Sequence, residues 1–164
     1  MSFQGTVVPV NIAQDYTQIT RLLRRSFLGV AQEMGLTEKN CPQHVAFITE
    51  ERLLAQLDRK DAHCLGIRER SDWVGFVAVA PYHGAYEITR LAVAPEHRHK
   101  GYGMALMECA CQVARQIGLQ EIGLGMINEN TVLKKWYEEQ GFVPDEPFRP
   151  QGVPYTVCGM LKKL

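Results

Sequence analysis

Four adjacent residues that can carry positive charge, His97, Arg98, His99 and Lys100, run into Gly101-Tyr102-Gly103, and an apolar helical pattern begins at Met104. The start of a helix leaves backbone N–H groups without partners, and the aligned peptide dipoles make that end partly positive. Glycines lack a Cβ, so an anion can come close to the backbone. Side-chain charge from Arg98, His99 and Lys100 adds to the same point. Residue types in this order read as a phosphate site. The plainer reading is a surface turn whose cations are solvated. The stretch is not a P-loop, because Lys100 precedes the glycine and no Gly-Lys-Ser/Thr follows. It is not a dinucleotide fingerprint either, since the third glycine is missing, and "GLGMIN" at 123–128 fails similarly.

The elements that must hold this turn follow from periodicity. "TVVPVNI" reads as a first strand. "QDYTQITRLLRRSFLGVAQEMG" reads as a helix with Asp15 as cap, an apolar stripe of Ile19, Leu22, Leu23 and Phe27, and Gly35 as its end. After a loop containing Pro42, "TEERLLAQL" is a short helix capped by Thr49. "AHCLGIRE", "WVGFVAVA" and "AYEITRLAV" form three successive strands, an antiparallel meander. A helix from the glycine turn to about Ile117 ends at Gly118. "QEIGLGMI" is a strand, "NTVLKKWYEEQ" a helix ended by Gly141, and "GFVPDEPF" and "PYTVCGML" are closing strands. The order βααβββαβαββ predicts an α/β (α+β) fold, with a mixed, mostly antiparallel central sheet flanked by helices.

"RLAVAPEHRHKGYGMAL" carries a strand, then Val-x-Pro, then Arg-x-x-Gly-x-Gly opening a helix. This closely resembles the coenzyme A motif of the GNAT superfamily of N-acetyltransferases, with Arg98, Gly101 and Gly103 in its core positions. "NENTVLKKWYEEQGF" resembles the second cofactor motif of that superfamily: Asn130 caps a helix, Tyr137 follows seven residues later, and Gly141-Phe142 ends it. Leu133 departs from the pattern, which often has a small residue there. The order of elements resembles the GNAT fold over nearly the whole chain, read as one domain over residues 1–164.

The resemblance implies roles. The pyrophosphate of acetyl-CoA would sit over backbone N–H groups from Arg98 through His99, Lys100, Gly101, Tyr102 and Gly103 to Met104. The pantetheine arm would pair with Leu91, Ala92 and Val93 as an added strand. Asn130 is a good helix cap in any case, and binding the cofactor is a role the resemblance adds. The glycines of "EIGLGMI" weaken a strand, which suits a splayed gap beside it and equally suits close packing. Glu87 is the candidate general base: strand alternation puts it on the face of Leu91 and Val93. Its plain alternative is an exposed strand carboxylate. Tyr137 is the candidate general acid toward the departing sulfur, or a core aromatic at helical spacing with Leu133 and Trp136. A backbone N–H near Val93 is the natural oxyanion donor. Direct attack by an amine needs no covalent intermediate.

Composition narrows the classes. The chain has 164 residues, with 18 basic and 18 acidic side chains. A balanced charge argues against non-specific binding to nucleic acid or to anionic membrane. No apolar run reaches a membrane span, and "MSFQGTVVPV" has no basic leader, so a cytoplasmic protein is expected. Five cysteines without a CxxC pair read as free thiols. Cys109 and Cys111 make a poor metal clip, and His97 and His99 lack a third ligand, so no metal is expected. The acceptor groove implied by the resemblance draws on 27–47, "PYHGAYE" and "PDEPFRPQGVPY", offering Tyr82, His83, Tyr86, Phe148 and Tyr155 with Cys41 and His44. That mixture suits a small-molecule amine, without excluding a peptide or protein amine. A homodimer is common in the resembled superfamily. Two other readings compete: an acyl-CoA sensing module without chemistry, which would not need Glu87 and Tyr137, and a nucleotide-binding domain, which lacks its fingerprint.

Overall fold

A computed structural model describes residues 3–164. The elements are β1 (Val7–Pro9), α1 (Ile12–Glu33), α2 (Glu50–Leu57), β2 (His63–Glu69), β3 (Asp72–Tyr82), β4 (Ala85–Val93), α3 (Tyr102–Gln116), β5 (Glu121–Ile127), α4 (Thr131–Glu139), β6 (Val143–Pro144) and β7 (Val157–Lys163). Their order is the one the sequence predicts. The strands form one sheet in the order β1-β2-β3-β4-β5-β7-β6, and all pairs are antiparallel except β4 with β5.

β3 is the central strand. Its residues Trp73–Ala80 are buried without a break, so both faces of the sheet are covered there. One face carries Ile67, Gly75, Val77 and Val79 and meets α3, whose Leu106 lies 3.1 Å from where a Cβ on Gly75 would stand. The other carries Cys64, Phe76, Ala78 and Ala80 and faces α1, through its buried stripe Ile19, Leu22 and Leu23, and α2. Beyond β4 the second face is uncovered. Gly123, Gly125, Gly159, Leu161 and Val143 line it, while Ile122, Leu124, Met126, Cys158 and Met160 on the first face are buried.

Local signals mostly act where the sequence puts them. Thr49 Oγ1 accepts from Arg52 N at 3.2 Å, capping α2. Gly35, Gly118 and Gly141 follow α1, α3 and α4 with φ of +66°, +90° and +93°, the left-handed conformation that glycine adopts without strain. Two expectations change. α1 begins at Ile12 with Asn11 before it, so Asp15 lies inside the first turn, where its charge complements the helix dipole instead of capping. The strand expected over "GFVPDEPF" shrinks to Val143–Pro144 plus a bridge from Phe148 to Val157, because Pro144 and Pro147 remove ladder donors. No helix among the described residues is long and apolar enough to cross a membrane.

Candidate active site

The phosphate-site stretch sits between β4 and α3. A single 3-10 turn over Pro95–His97 leads into it, and Gly101 is the residue before α3 at φ +87°. His99 is also left-handed, at φ +60°. Two left-handed residues separated by one gather consecutive N–H groups toward one concavity. Among the described residues, the N–H groups of His99 through Met104 find no acceptor; Ala105 is the first to bond back, to the Gly101 carbonyl at 3.1 Å. The helix dipole reinforces these donors.

The basic side chains behave differently from the sequence expectation. Arg98 folds away from the concavity: its Nε donates to the Val93 carbonyl at 3.3 Å and its Nη2 to the Ser26 carbonyl of α1. Lys100 Nζ donates to the Glu96 carbonyl at 3.2 Å. Both cations brace the turn, because carbonyls left over from the strand end and the short turn need donors. The donors that face outward are main-chain. Tyr102 is held by its hydroxyl, which donates to Glu69, and its ring lies 5.3 Å from that of His97 and 4.9 Å from that of Phe3. Phe3 also explains Gly101: a Cβ there would stand 3.1 Å from Phe3 N.

β4 and β5 diverge beside this turn. Their one paired position is Glu87 with Gly123, so toward Leu91–Val93 the facing edges part. β4 carries a bulge as well: Phe76 pairs with Ala92 but Ala78 pairs with Thr89, so Val77 opposes both Arg90 and Leu91, and Arg90 takes φ +55°. The extra residue shifts the phase of alternation. Glu87 shares its face with Thr89 and Ala92, whereas Val93 shares the opposite face with Ile88. The expectation that Glu87 and Val93 lie on one face is therefore corrected. Val93 faces α3 and α4, with Gly103 between them: a Cβ on Gly103 would lie 4.0 Å from Val93 Cγ2 and 3.7 Å from Trp136 Cζ2. Glu87 faces the uncovered side and, with Gly123, Val143 and Leu161, lines a cavity of about 1100 Å³. Burial pushes its carboxyl above the usual glutamate range, and the nearby His83 pulls it partly back.

Tyr137 is buried in α4, its ring 5.2 Å from Trp136 and 5.9 Å from Phe142. Burial pushes its phenol up to about 12, so it keeps its proton at neutral pH. Asn130 caps α4 by accepting from Leu133 N at 3.2 Å. The residues anticipated for an acceptor groove come together in part: Cys41 Sγ lies 4.0 Å from Tyr155 Oη, His44 packs between Phe27 and Phe47, and Tyr82 meets His83. Cys109 and Cys111 carry thiols raised by burial, which opposes a thiolate nucleophile. Among the described residues no group of three His, Cys, Asp or Glu side chains can hold a metal ion.

Sequence reading missed two features. Trp136 closes the phosphate turn from α4, although its spacing with Leu133 and Tyr137 marks it as inward-facing. The bulge at Arg90 has no glycine or proline in "EITRLAV" to announce it.

The acetyltransferase (GNAT) family matches residues 19–142. A PaiA N-acetyltransferase from Thermoplasma acidophilum, solved in complex with coenzyme A, superposes with a TM-score of 0.79 at 22% identity, covering 99% of this chain and 100% of that one. The ribosomal-protein-S18-alanine N-acetyltransferase from Escherichia coli does so with a TM-score of 0.76 at 14% identity, covering 98% and 94%. A tRNA(Met) cytidine acetyltransferase of Saccharolobus solfataricus is 36% identical over 59 residues, which are 36% of this chain and 8% of that protein. The matched stretch thus spans a small fraction of that relative's length.

Proposed function

The chain belongs to the acetyltransferase (GNAT) family, and on that premise we propose that it moves the acetyl group of acetyl-CoA to the primary amine of a small molecule, by direct attack within a ternary complex. Residues 1–164 are taken as one acetyltransferase domain. The observation that carries the reading is the forked sheet: open N–H groups at the α3 turn lie toward one face, and the half-buried carboxyl of Glu87 lies on the other, at the one position where β4 and β5 still pair.

Acetyl-CoA supplies an activated thioester; the chain supplies everything else. Main-chain N–H groups of His99 to Met104 bind the diphosphate, while the Arg98 N–H stays on the Pro95 carbonyl at 3.4 Å and its side chain acts as a brace behind them. The parted edge of β4 at Leu91, Ala92 and Val93 offers backbone groups to the pantetheine amides. A thioester held there is reached from the Glu87 face by the acceptor. The amine nitrogen bonds to the acetyl carbon, Glu87 takes the ammonium proton directly or through water, a main-chain N–H near Val93 stabilises the oxyanion, and the C–S bond breaks as Tyr137 gives its proton to sulfur. A carboxyl raised by burial is a better base at neutral pH than an ordinary glutamate. A neutral phenol is the form that can donate. Two bound substrates need no covalent enzyme intermediate.

Thiol release from acetyl-CoA, followed across a library of primary amines, tests the reading. An amine-dependent rate is expected, and it is lost in the Glu87→Gln, Tyr137→Phe double variant while acetyl-CoA still binds. Normal turnover by that variant would remove both residues from the mechanism. Acetyl-CoA binding without release for any amine would instead favour a sensing module.

A further inference from the structure

The side chain of Arg90 is half-buried, with its Nε fully so, and has no part in the proposed mechanism. It stands at the bulge of β4, in a left-handed conformation that a non-glycine residue adopts at a cost of about 1–2 kcal/mol. Such strain persists only where surrounding structure enforces it. Its Nε is buried and has no hydrogen-bond partner, and among the described residues the guanidinium's one side-chain hydrogen bond is a long donation to Thr89 Oγ1 at 3.4 Å. No carboxylate pairs with it among the described residues. The ionisable groups close enough to act on it are Arg52, Cys64 and Tyr82; burial and the charge of Arg52 both disfavour its cation. Arg52 cannot serve as counter-ion, and its own donors go to the carbonyls of Pro42 and Gln43 in the α1–α2 loop.

The surroundings locate the guanidinium. Cys64, Ala78 and Thr89 are cross-strand neighbours on the face that also carries Glu87. Tyr82, 60% exposed, lies near the far end of that face, so the guanidinium lies on the Glu87 face of the sheet, toward Cys64 of β2 and Arg52 of α2. An arginine that is largely desolvated, repelled by a second arginine and short of an acceptor for Nε lacks one component: an anion. A planar fork of N–H donors fits a carboxylate in two parallel hydrogen bonds, one of them from Nε.

We propose that Arg90 receives a carboxylate of the acceptor, so that the substrate class is an amine that also bears a carboxylate, such as an amino acid. This rests on the acetyltransferase reading for its meaning but not for its test. The bulge then has a purpose: it turns Arg90 onto the face of Glu87, so the acceptor's anion is bound on β4 and its amine is presented along the same strand.

The direct test is nuclear magnetic resonance of the wild-type arginine Nε–H groups, with the Arg90 signal assigned by its loss in Arg90→Lys. The probes are acetate, the series glycine, β-alanine and 4-aminobutyrate, glycinamide as the neutral match, and inorganic phosphate. The carboxylates are expected to move the Arg90 signal and glycinamide to leave it in place. Movement by phosphate with none by any carboxylate would overturn the assignment, as would a signal that nothing moves. In turnover, the preferred amino acid is expected to exceed its own amide in kcat/KM by about 10–100-fold, the span of a charge-assisted pair. Arg90→Gln should level the two through KM with the KM for acetyl-CoA unchanged, and Arg90→Gly, which relieves the positive φ, keeps the comparison available if the glutamine variant folds poorly. Equal use of acid and amide by the wild type would contradict the proposal. A carboxylate-dependent Arg90 signal in a protein that acetylates no amine would leave the anion site standing and overturn the acetyltransferase reading alone.

Discussion

Glu87 was legible as a residue but not as a direction. An acidic side chain a few positions before the strand end is visible in "YEITRLAV"; the extra residue at Arg90 that changes its face is not. On the proposed mechanism the face matters, because a base on the side of the cofactor phosphates would meet no acceptor. Glu87→Gln is expected to lower kcat by about 10²–10⁴-fold with acetyl-CoA affinity unchanged, measured by steady-state kinetics and calorimetry. The same variant has a stability signature. A carboxyl raised in the folded state is unfavourable above its folded pKa and neutral in effect below its unfolded value. Glu87→Gln should therefore melt no lower than wild type at pH 7, with any gain fading as pH falls toward the ordinary glutamate range. In the pH profile of kcat/KM, the acid limb should sit above that ordinary range and move or vanish in the variant. Tyr137 was legible by spacing from Asn130, and its burial adds that the phenol stays protonated, up to about 12. Tyr137→Phe should lower kcat by at least about 10²-fold at unchanged stability, and no alkaline loss of rate from this group should occur below pH 11.

At the scale of elements, the turn before α3 is a place where backbone donors gather, as the sequence suggests, while two of its cationic side chains, Arg98 and Lys100, bond to nearby carbonyls. Arg98 and Lys100 are spent on carbonyls of Val93, Ser26 and Glu96. Spacing cannot reveal this, since Ser26 is on α1, far away in the chain. The two glycines also separate. Gly101 needs its positive φ and has Phe3 against it, whereas a Cβ on Gly103 meets only ordinary contacts. Gly101→Ala should destabilise the protein by about 1–2 kcal/mol and weaken acetyl-CoA binding. Gly103→Ala should leave thermal unfolding unchanged, and so reports through acetyl-CoA affinity alone how closely the anion approaches. Equal melting losses for the two would refute this division. The fork between β4 and β5 was suggested by the glycines of "EIGLGMI"; Gly123 does sit at the pairing point, with its hypothetical Cβ 3.4 Å from the Met160 carbonyl, so close packing accounts for that glycine too.

For the whole molecule, the order of elements and the mixed sheet were readable because each helix and strand carries its own period, caps and glycine stops. What was not readable is long-range: which strand faces part, which groups surround Arg90, and that Trp136 and Phe3 close around the turn from opposite ends of the sequence. These arise from packing between segments that no local pattern connects. The family match and the structural likenesses agree with the fold. They do not settle the acceptor, which the proposals above assign to the face of Glu87.

A crystal structure with acetyl-CoA bound measures the central claim most directly. The account predicts diphosphate oxygens within about 3 Å of the N–H groups in the 99–104 turn, the pantetheine arm between β4 and β5, and the thioester between Val93 and Glu87. A cofactor bound elsewhere, or bound to this turn through the Arg98 and Lys100 side chains with its main-chain N–H groups unused, would contradict it.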